Sequence, residues 1–320
     1  MTRGKIPPTP PDDDRVIWLM MPGGDRNMIV KSLKYRPDVI IPCLEDGVAY
    51  DDEAKKAARE VLADVLGGDA FGSRDVLVYP RINHPSGPYW RDDVDVVVGT
   101  EATGIVIPKT ESADEVRTVA EYVAAAEARA GRAEGAVRIV AMIETARGVL
   151  RAEEIASAHE RVRGLLFGRE DYSASVGLMR RHADSLAEGS PELLFARSAV
   201  VTAAQAAGVE AIDGAAFTLV DEEYIARDAS LTARLGFTGK LAAHPAHVAG
   251  IRAAYTPDPG DLEAARKMLE LERESAAAGT AAVGGVDGME VTPPVIAQAK
   301  LLVRRAAWAE AGLRRGGELT

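Results

Sequence analysis

One cysteine, Cys43, stands in 320 residues. Its isolation excludes an intrachain disulfide framework and any cysteine-rich zinc site. Basic charge is also short: 38 Lys and Arg against 49 Asp and Glu leave a formal charge of −11. That argues against a nucleic-acid groove or an anionic membrane surface as the main partner. An anionic small ligand would need its own local Arg, Lys or metal. No apolar run approaches the ~18 residues of a membrane helix. The opening MTRGKIPPTPPDDDR lacks the apolar stretch of a secretory signal. Residues 1–15 therefore read as a proline-rich, flexible lead-in, and the cytoplasm is the expected location. There is no internal repeat and no low-complexity tract. PGGDRN, early in the chain, lacks the GxGxxG spacing of a dinucleotide loop, which ranks an open doubly wound sheet second.

What the chain does have is alternation. Eight short apolar runs recur: VIWLMM (16–21), DVIIPCLE (38–45), DVLVYPRI (75–82), GIVIPK (104–109), VRIVAMIE (137–144), VRGLLFG (162–168), VEAIDGAA (209–216) and GKLAAHP (239–245). They are hydrophobic almost without interruption, as parallel strands covered on both faces are. Amphipathic segments separate them, among them DDEAKKAAREVLADVL and SADEVRTVAEYVAAAEARAG, the latter opened by a capping-box pair, Ser112 and Glu115. Eight strand–helix repeats over residues 16–255 predict a (β/α)₈ TIM barrel, whose usual size is about 250 residues. Residues 256–320 break the pattern. A proline-started helix ending at Gly279, a glycine-rich link and a second helix from PPVIAQAK predict a C-terminal helical extension that serves as a lid.

In such a barrel the chemistry sits at the carboxyl ends of the strands. Those ends carry Glu45 and Asp46, Arg81 and Asn83, Lys109, Glu144, Glu170 and Asp171, Asp213, and His244 before Pro245. Taken singly, each has a plain structural role: a helix cap, a turn residue, a surface ion pair, a lysine lying over the rim. Their convergence on one mouth is what points to a site. Several carboxylates with one histidine and no cysteine nearby make a hard-cation site rather than a zinc or copper site. Mg²⁺ takes one or two protein carboxylates and leaves the rest of its shell to water and substrate. Glu144 and Asp171, on adjacent strand ends, form the natural pair, and Arg81 would clamp a carboxylate or steady an oxyanion. Spacing alone leaves the reaction open.

LEDGV (44–48), PRIN (80–83), IPK (107–109), ETARG (144–148), FGREDYSASVG (167–177), AIDG (211–214) and AHP (243–245), in this order, resemble the HpcH/HpaI aldolase–citrate lyase family. The likeness, running from about residue 16 to 300, is nearest to its CoA-ester branch of citrate lyase β-subunit-like and malyl-CoA lyase-like proteins. The resemblance implies a TIM barrel with Mg²⁺, or Mn²⁺ in its place, on Glu144 and Asp171. It puts Arg81 on the substrate oxygens and Glu45 and Asp46 around the metal's water. It implies cleavage of a malyl-, β-methylmalyl- or citramalyl-CoA-like thioester into a 2-oxo acid and an acyl-CoA. Coenzyme A would be part of the substrate, and the assembly a homotrimer or hexamer with lids exchanged between subunits.

Two departures stand out. The family's lid carries an acidic residue where this chain has Thr292, leaving Asp287 and Glu290 as the nearest acids and making thioester hydrolysis doubtful. PGGDRN also sets Arg26 one position off the family's pattern, so that a CoA-phosphate role for Arg26 or Lys31 competes with a solvated helix start. Two further readings stay open beside the CoA-ester lyase: an aldolase acting on a free hydroxy-oxo acid, and a non-catalytic acyl-CoA-binding relative.

Overall fold

The computed structural model describes residues 15–68, 76–179, 190–216, 218–219, 221–279, 285–286 and 289–314. The chain divides into two compact units, residues 1–251 and 252–320.

The first unit holds eight parallel strands: β1 Ile17–Pro22, β2 Val39–Cys43, β3 Leu77–Val78, β4 Gly104–Ile107, β5 Arg138–Ile143, β6 Val162–Phe167, β7 Glu210–Asp213 and β8 Gly239–Ala242. Each coincides with one of the apolar runs. Hydrogen bonding links them in the order β3-β2-β1-β8-β7-β6-β5-β4. The two ends of that order meet through the chain that continues β3. Thr103 N–H donates to the Val78 carbonyl (2.9 Å), Val106 N–H to Pro80 (2.9 Å) and Ile82 N–H to Val106 (3.1 Å). Arg81 bridges to Cys43 on one side and to Val106 on the other. The ring is therefore closed, and its seam passes through Arg81. Pro80, which has no N–H to give, takes part through its carbonyl, and β3 is regular for only two residues.

Strand parity sorts the side chains. Trp18, Val39, Ile41, Tyr79, Val106, Val140, Met142, Leu166, Ile212 and Leu241 cluster together, at least one from every strand or its direct continuation, and fill the barrel interior. The alternate residues Ala141, Ile143, Leu165, Phe167 and Ala211 pack outward against helix residues such as Ile155, Ala196 and Val200. The helices begin as their sequences dictate. Asp51 caps helix Asp52–Gly67, and Ser112 with Glu115 completes the expected capping box on helix Ala113–Ala130.

The second unit pairs helix Pro259–Ala277 with helix Pro293–Arg314 around Ala265, Met268, Val286, Val291, Ile296 and Ala299. Asp258 caps the first helix through the Gly260 N–H (2.8 Å), and Lys300 reaches Glu272 at 2.8 Å. Within the expected glycine-rich link, Gly285–Val286 and Met289–Glu290 form a short antiparallel pair. Among the described residues no helix is long and apolar enough to cross a membrane.

Candidate active site

Parity decides which strand-end residues reach the mouth. Val140 and Met142 face the interior, so Glu144, the next residue of that parity, turns inward as β5 ends and is 0 % exposed. The same rule carries Ile41 to Cys43 and Glu45, and Tyr79 to Arg81 and Asn83. A carboxylate at the tip of an apolar strand is thus aimed into the barrel opening by the strand itself.

The groups so gathered interlock. Arg81 is buried; its Nη1 lies 3.2 Å from Glu45 Oε2 and its Nη2 3.3 Å from Asp46 Oδ2. From below, two sulfurs hold the guanidinium. Cys43 Sγ accepts from Nε (3.2 Å) and Nη2 (3.1 Å), and Met142 Sδ accepts from Nη1 (3.7 Å). Lys109 Nζ donates to Glu45 Oε1 at 2.5 Å and stands 3.6 Å from Asp46 and 3.9 Å from Asp171. Burial opposes its charge, but the hydrogen bond to Glu45 and the nearby Asp171 and Asp46 outweigh that and hold the ammonium pKa above its ordinary value.

Two buried carboxylate oxygens of the mouth have no hydrogen-bond partner, Glu45 Oε2, which still has Arg81 Nη1 at 3.2 Å, and one of Glu144. Glu144 Oε1 accepts the backbone N–H of Lys109 at 2.8 Å, while its Oε2 is buried with no hydrogen-bond partner. Burial pushes its carboxyl up to about 7, with Arg81 pulling the other way and Asp171 adding to the rise. Room around that oxygen comes from Gly168, where a Cβ would stand 2.3 Å from Glu144 Oε2. A buried carboxylate with one unmatched oxygen, kept clear by a glycine and facing a second carboxylate that is 41 % exposed, fits a divalent cation. Among the described residues no three His, Cys, Asp or Glu side chains converge to hold a metal by themselves. Two carboxylates plus water and ligand oxygens is the habit of Mg²⁺.

Lys55, which sequence reasoning passed over, builds the loop after β2 together with Asn83. Lys55, buried on helix Asp52–Gly67, donates its ammonium to the carbonyls of Leu44 (2.6 Å), Glu45 (2.8 Å) and Val48 (3.3 Å). Burial lowers its pKa, against the raising influence of Asp93. Asn83 ties the same loop to the next one, giving its Nδ2 to Leu44 O (3.1 Å) and to the buried Asp93 (2.7 Å). Beside these residues opens a cavity of about 420 Å³, lined by Glu45, Asp46, Val48, Tyr50, Asn83 and His84 among others. The signal for Lys55 was its place on the apolar stripe of its helix, with Ala58, Leu62 and Val65.

Other expected site residues are placed differently. Asp213 follows the inward-facing Ile212, so it points outward into the helix layer, fully buried. It pairs there with Arg197 Nε (3.0 Å) and with Lys240, and it leaves the candidate set. Arg26 forms an exposed ion pair with Asp64, and Lys31 is exposed on the same short helix. His244 is exposed and accepts the Ala246 N–H (3.2 Å), and Pro245 accepts from Val248 (3.2 Å); both shape the start of helix His247–Tyr255. In the second unit Glu290 is exposed. Thr292 is half-buried and gives its carbonyl to Ile296 N–H (2.9 Å), so it begins helix Pro293–Arg314. Asp287 lies outside the described residues.

Comparison with known proteins agrees with this picture. Residues 16–245 match the family described as HpcH/HpaI aldolase/citrate lyase. Citrate lyase subunit beta of Haemophilus influenzae is 32 % identical over 288 residues, which is 90 % of this chain and 95 % of that protein. L-malyl-CoA/beta-methylmalyl-CoA lyase of Cereibacter sphaeroides is 31 % identical over 316 residues, covering 94 % and 98 % of the two chains. Among solved structures, protein CitE from Mycobacterium tuberculosis, in complex with magnesium, acetoacetate and coenzyme A, superposes with a TM-score of 0.74 at 30 % identity. That superposition covers 92 % of this chain and 99 % of the other.

Proposed function

The chain belongs to the HpcH/HpaI aldolase/citrate lyase family, and from that premise we propose that it is a Mg²⁺-dependent CoA-ester lyase. It cleaves or forms the carbon–carbon bond of a 3-hydroxyacyl-CoA of the malyl-, β-methylmalyl- or citramalyl-CoA type. The products of cleavage are a 2-oxo acid, glyoxylate or pyruvate, and an acyl-CoA. The observation that carries the reading is the unmatched buried oxygen of Glu144 beside Asp171 and Arg81. A relative named for malyl-CoA and β-methylmalyl-CoA cleavage supports the substrate class. A structural neighbour complexed with magnesium and coenzyme A supports the cofactors.

Glu144 and Asp171 would hold the metal, which when bound supplies Lewis-acid polarisation of the oxo acid's oxygens. The remaining work falls to the chain's own groups. Cleavage removes the 3-hydroxyl proton, breaks the bond to the α-carbon of the thioester and leaves an enolate that must be protonated. Arg81, fixed by Cys43, Met142, Glu45 and Asp46, presents a rigid cationic fork to the oxygen that gains charge, and its fixed position avoids reorganisation during reaction. Glu45 and Asp46 would carry the proton traffic, since a threonine at position 292 has no acid to offer. Lys55 and Asn83 hold the loop that carries them. In this reading the helical second unit is the lid.

The test is a panel of malyl-, β-methylmalyl- and citramalyl-CoA isomers and free hydroxy-oxo acids, each with Mg²⁺ or EDTA, with products read by mass spectrometry. Metal-dependent 2-oxo acid with intact acyl-CoA is expected, and Glu144→Gln should abolish it. Free CoA with intact hydroxy acid would mean thioester hydrolysis instead. Turnover of only the free acids would make the protein an aldolase, and ligand binding without any product would make it a non-catalytic relative.

A further inference from the structure

Lys109 does not follow the rule that places its neighbours. β4 ends at Ile107, and the chain turns at Lys109 through φ 45°, a left-handed conformation uncommon for a residue with a Cβ. The turn puts two donors of one residue to use on opposite sides. The backbone N–H meets Glu144 Oε1 at 2.8 Å. The side chain crosses the mouth and brings Nζ to 2.5 Å from Glu45, 3.6 Å from Asp46 and 3.9 Å from Asp171. Glu144, Glu45, Asp46 and Asp171 thus each face some part of Lys109. The side chain is 34 % exposed, so the ammonium is tethered at the rim with solvent to move into.

Among the described residues Glu45, Asp46, Glu144 and Asp171 share this opening with Arg81 and Lys109, and Lys109 reaches toward all four acids before a metal arrives. We infer that Lys109 is a built-in counter-cation: its ammonium gathers the carboxylates in the metal-free protein and competes electrostatically with the divalent ion for them. It thereby lowers metal affinity while keeping the site assembled and ready to load. The inference rests on the metal reading above and adds to it a residue that sets how tightly the metal is held.

The experiment compares wild type, Lys109→Met and Lys109→Arg as full chains stripped with EDTA and dialysed. MgCl₂ is titrated by calorimetry, and melting is followed with and without Mg²⁺. Lys109→Met should bind Mg²⁺ on the order of tenfold more tightly, because a unit positive charge 3.9 Å from the Asp171 carboxylate is removed. It should also melt lower without metal and recover more on Mg²⁺ addition than wild type does. Lys109→Arg, which keeps the charge, should stay near wild-type affinity. Were Lys109 only a structural prop, both melting curves would fall together with affinity unchanged, and that overturns the inference. Weaker Mg²⁺ binding by Lys109→Met overturns it too. If wild type binds no Mg²⁺, the metal reading fails; if wild type binds and Lys109→Met binds equally, only the present inference fails. Should Lys109→Met not fold, Lys109→Gln, which removes the charge but keeps a donor for Glu45, is read in the same way.

Discussion

Asp213 ends β7 and Glu144 follows β5; both are fully buried, and their surroundings are opposite. Asp213 belongs to a closed network in the helix layer, where Arg197 takes both its oxygens at 3.0 and 3.1 Å and Lys240 shares one. Asp228 in the same network meets Arg197 (2.8 Å), Lys240 (2.8 Å) and Arg169 (3.3 Å), so every carboxylate oxygen there faces a cation. At the mouth one oxygen of Glu144 accepts a backbone amide and the other has no hydrogen-bond partner. In the first cluster every carboxylate oxygen is already matched by a cation, although Arg197 Nη1 is buried with no hydrogen-bond partner, so it offers no open oxygen to a metal. The second is incomplete in a way a cation would complete. Burial of charge by itself therefore says little about function; whether the partners are all present says much more.

The comparison can be broken at either end. The largest effect on stability is expected from Asp228→Ala, which leaves buried cations of the closed network without their carboxylate. Urea denaturation should show a loss of about 3–5 kcal/mol, and a loss under 1 kcal/mol would mean the network is not the structural joint described. Gly168→Ala acts on the open cluster alone. The new methyl would stand 2.3 Å from Glu144 Oε2, so the carboxylate must move. Mg²⁺ affinity by calorimetry should weaken by roughly tenfold to a hundredfold with the fold retained, and an unchanged affinity would separate Glu144 from the metal.

The smallest effect sharpens the contrast through pH. Asp228 is held well below the ordinary carboxylate range: burial works to raise it, but Lys240, Arg169 and Arg197 prevail. Its stabilisation is present above its unfolded value of 3.8 and is lost as the pH falls below it. Glu144 runs the other way. With its carboxyl raised from 4.5 to about 7, the metal-free native state keeps the proton longer than the unfolded chain does. Stability is therefore highest below 4.5 for this group and declines as the pH rises through about 7. Unfolding free energies of metal-free wild type and Glu144→Gln, measured across that window, should converge at its acid end, with wild type falling away as the pH rises. Parallel curves would mean that Glu144 titrates normally.

The strands were legible because burial on both faces writes an uninterrupted apolar run, and all eight runs became strands. The same property hid which residues face inward. A strand polar on one face announces its parity by alternation, but a run such as VEAIDGAA carries no such mark, so Asp213 read as one more mouth residue. Glu144, Arg81 and Glu45 could be picked out only together: each has a plain structural reading by itself, but the ends of successive strands converge on one mouth. Lys55 was concealed by its neighbours in DDEAKKAARE, which look like a solvated face, although the helical period places it on the buried stripe. The left-handed turn at Lys109 left no trace at all: no glycine marks it, and its two donors meet Glu144 and Glu45, which are far away in the sequence.

The seam between β3 and β4 runs through Arg81, beside a proline that can accept but not donate, and β3 itself is regular for two residues only. A closed hoop opens at its thinnest stave, and here that stave also carries the guanidinium. Any breathing that parts β3 from β4 carries Arg81, together with Glu45 just past neighbouring β2, away from Met142 and Glu144 at the end of β5 while the wall on the far side still stands. A ligand gripping Arg81 on one side and the end of β5 on the other spans the gap like a lace drawn tight. Loading the mouth and cinching the barrel then become a single mechanical act.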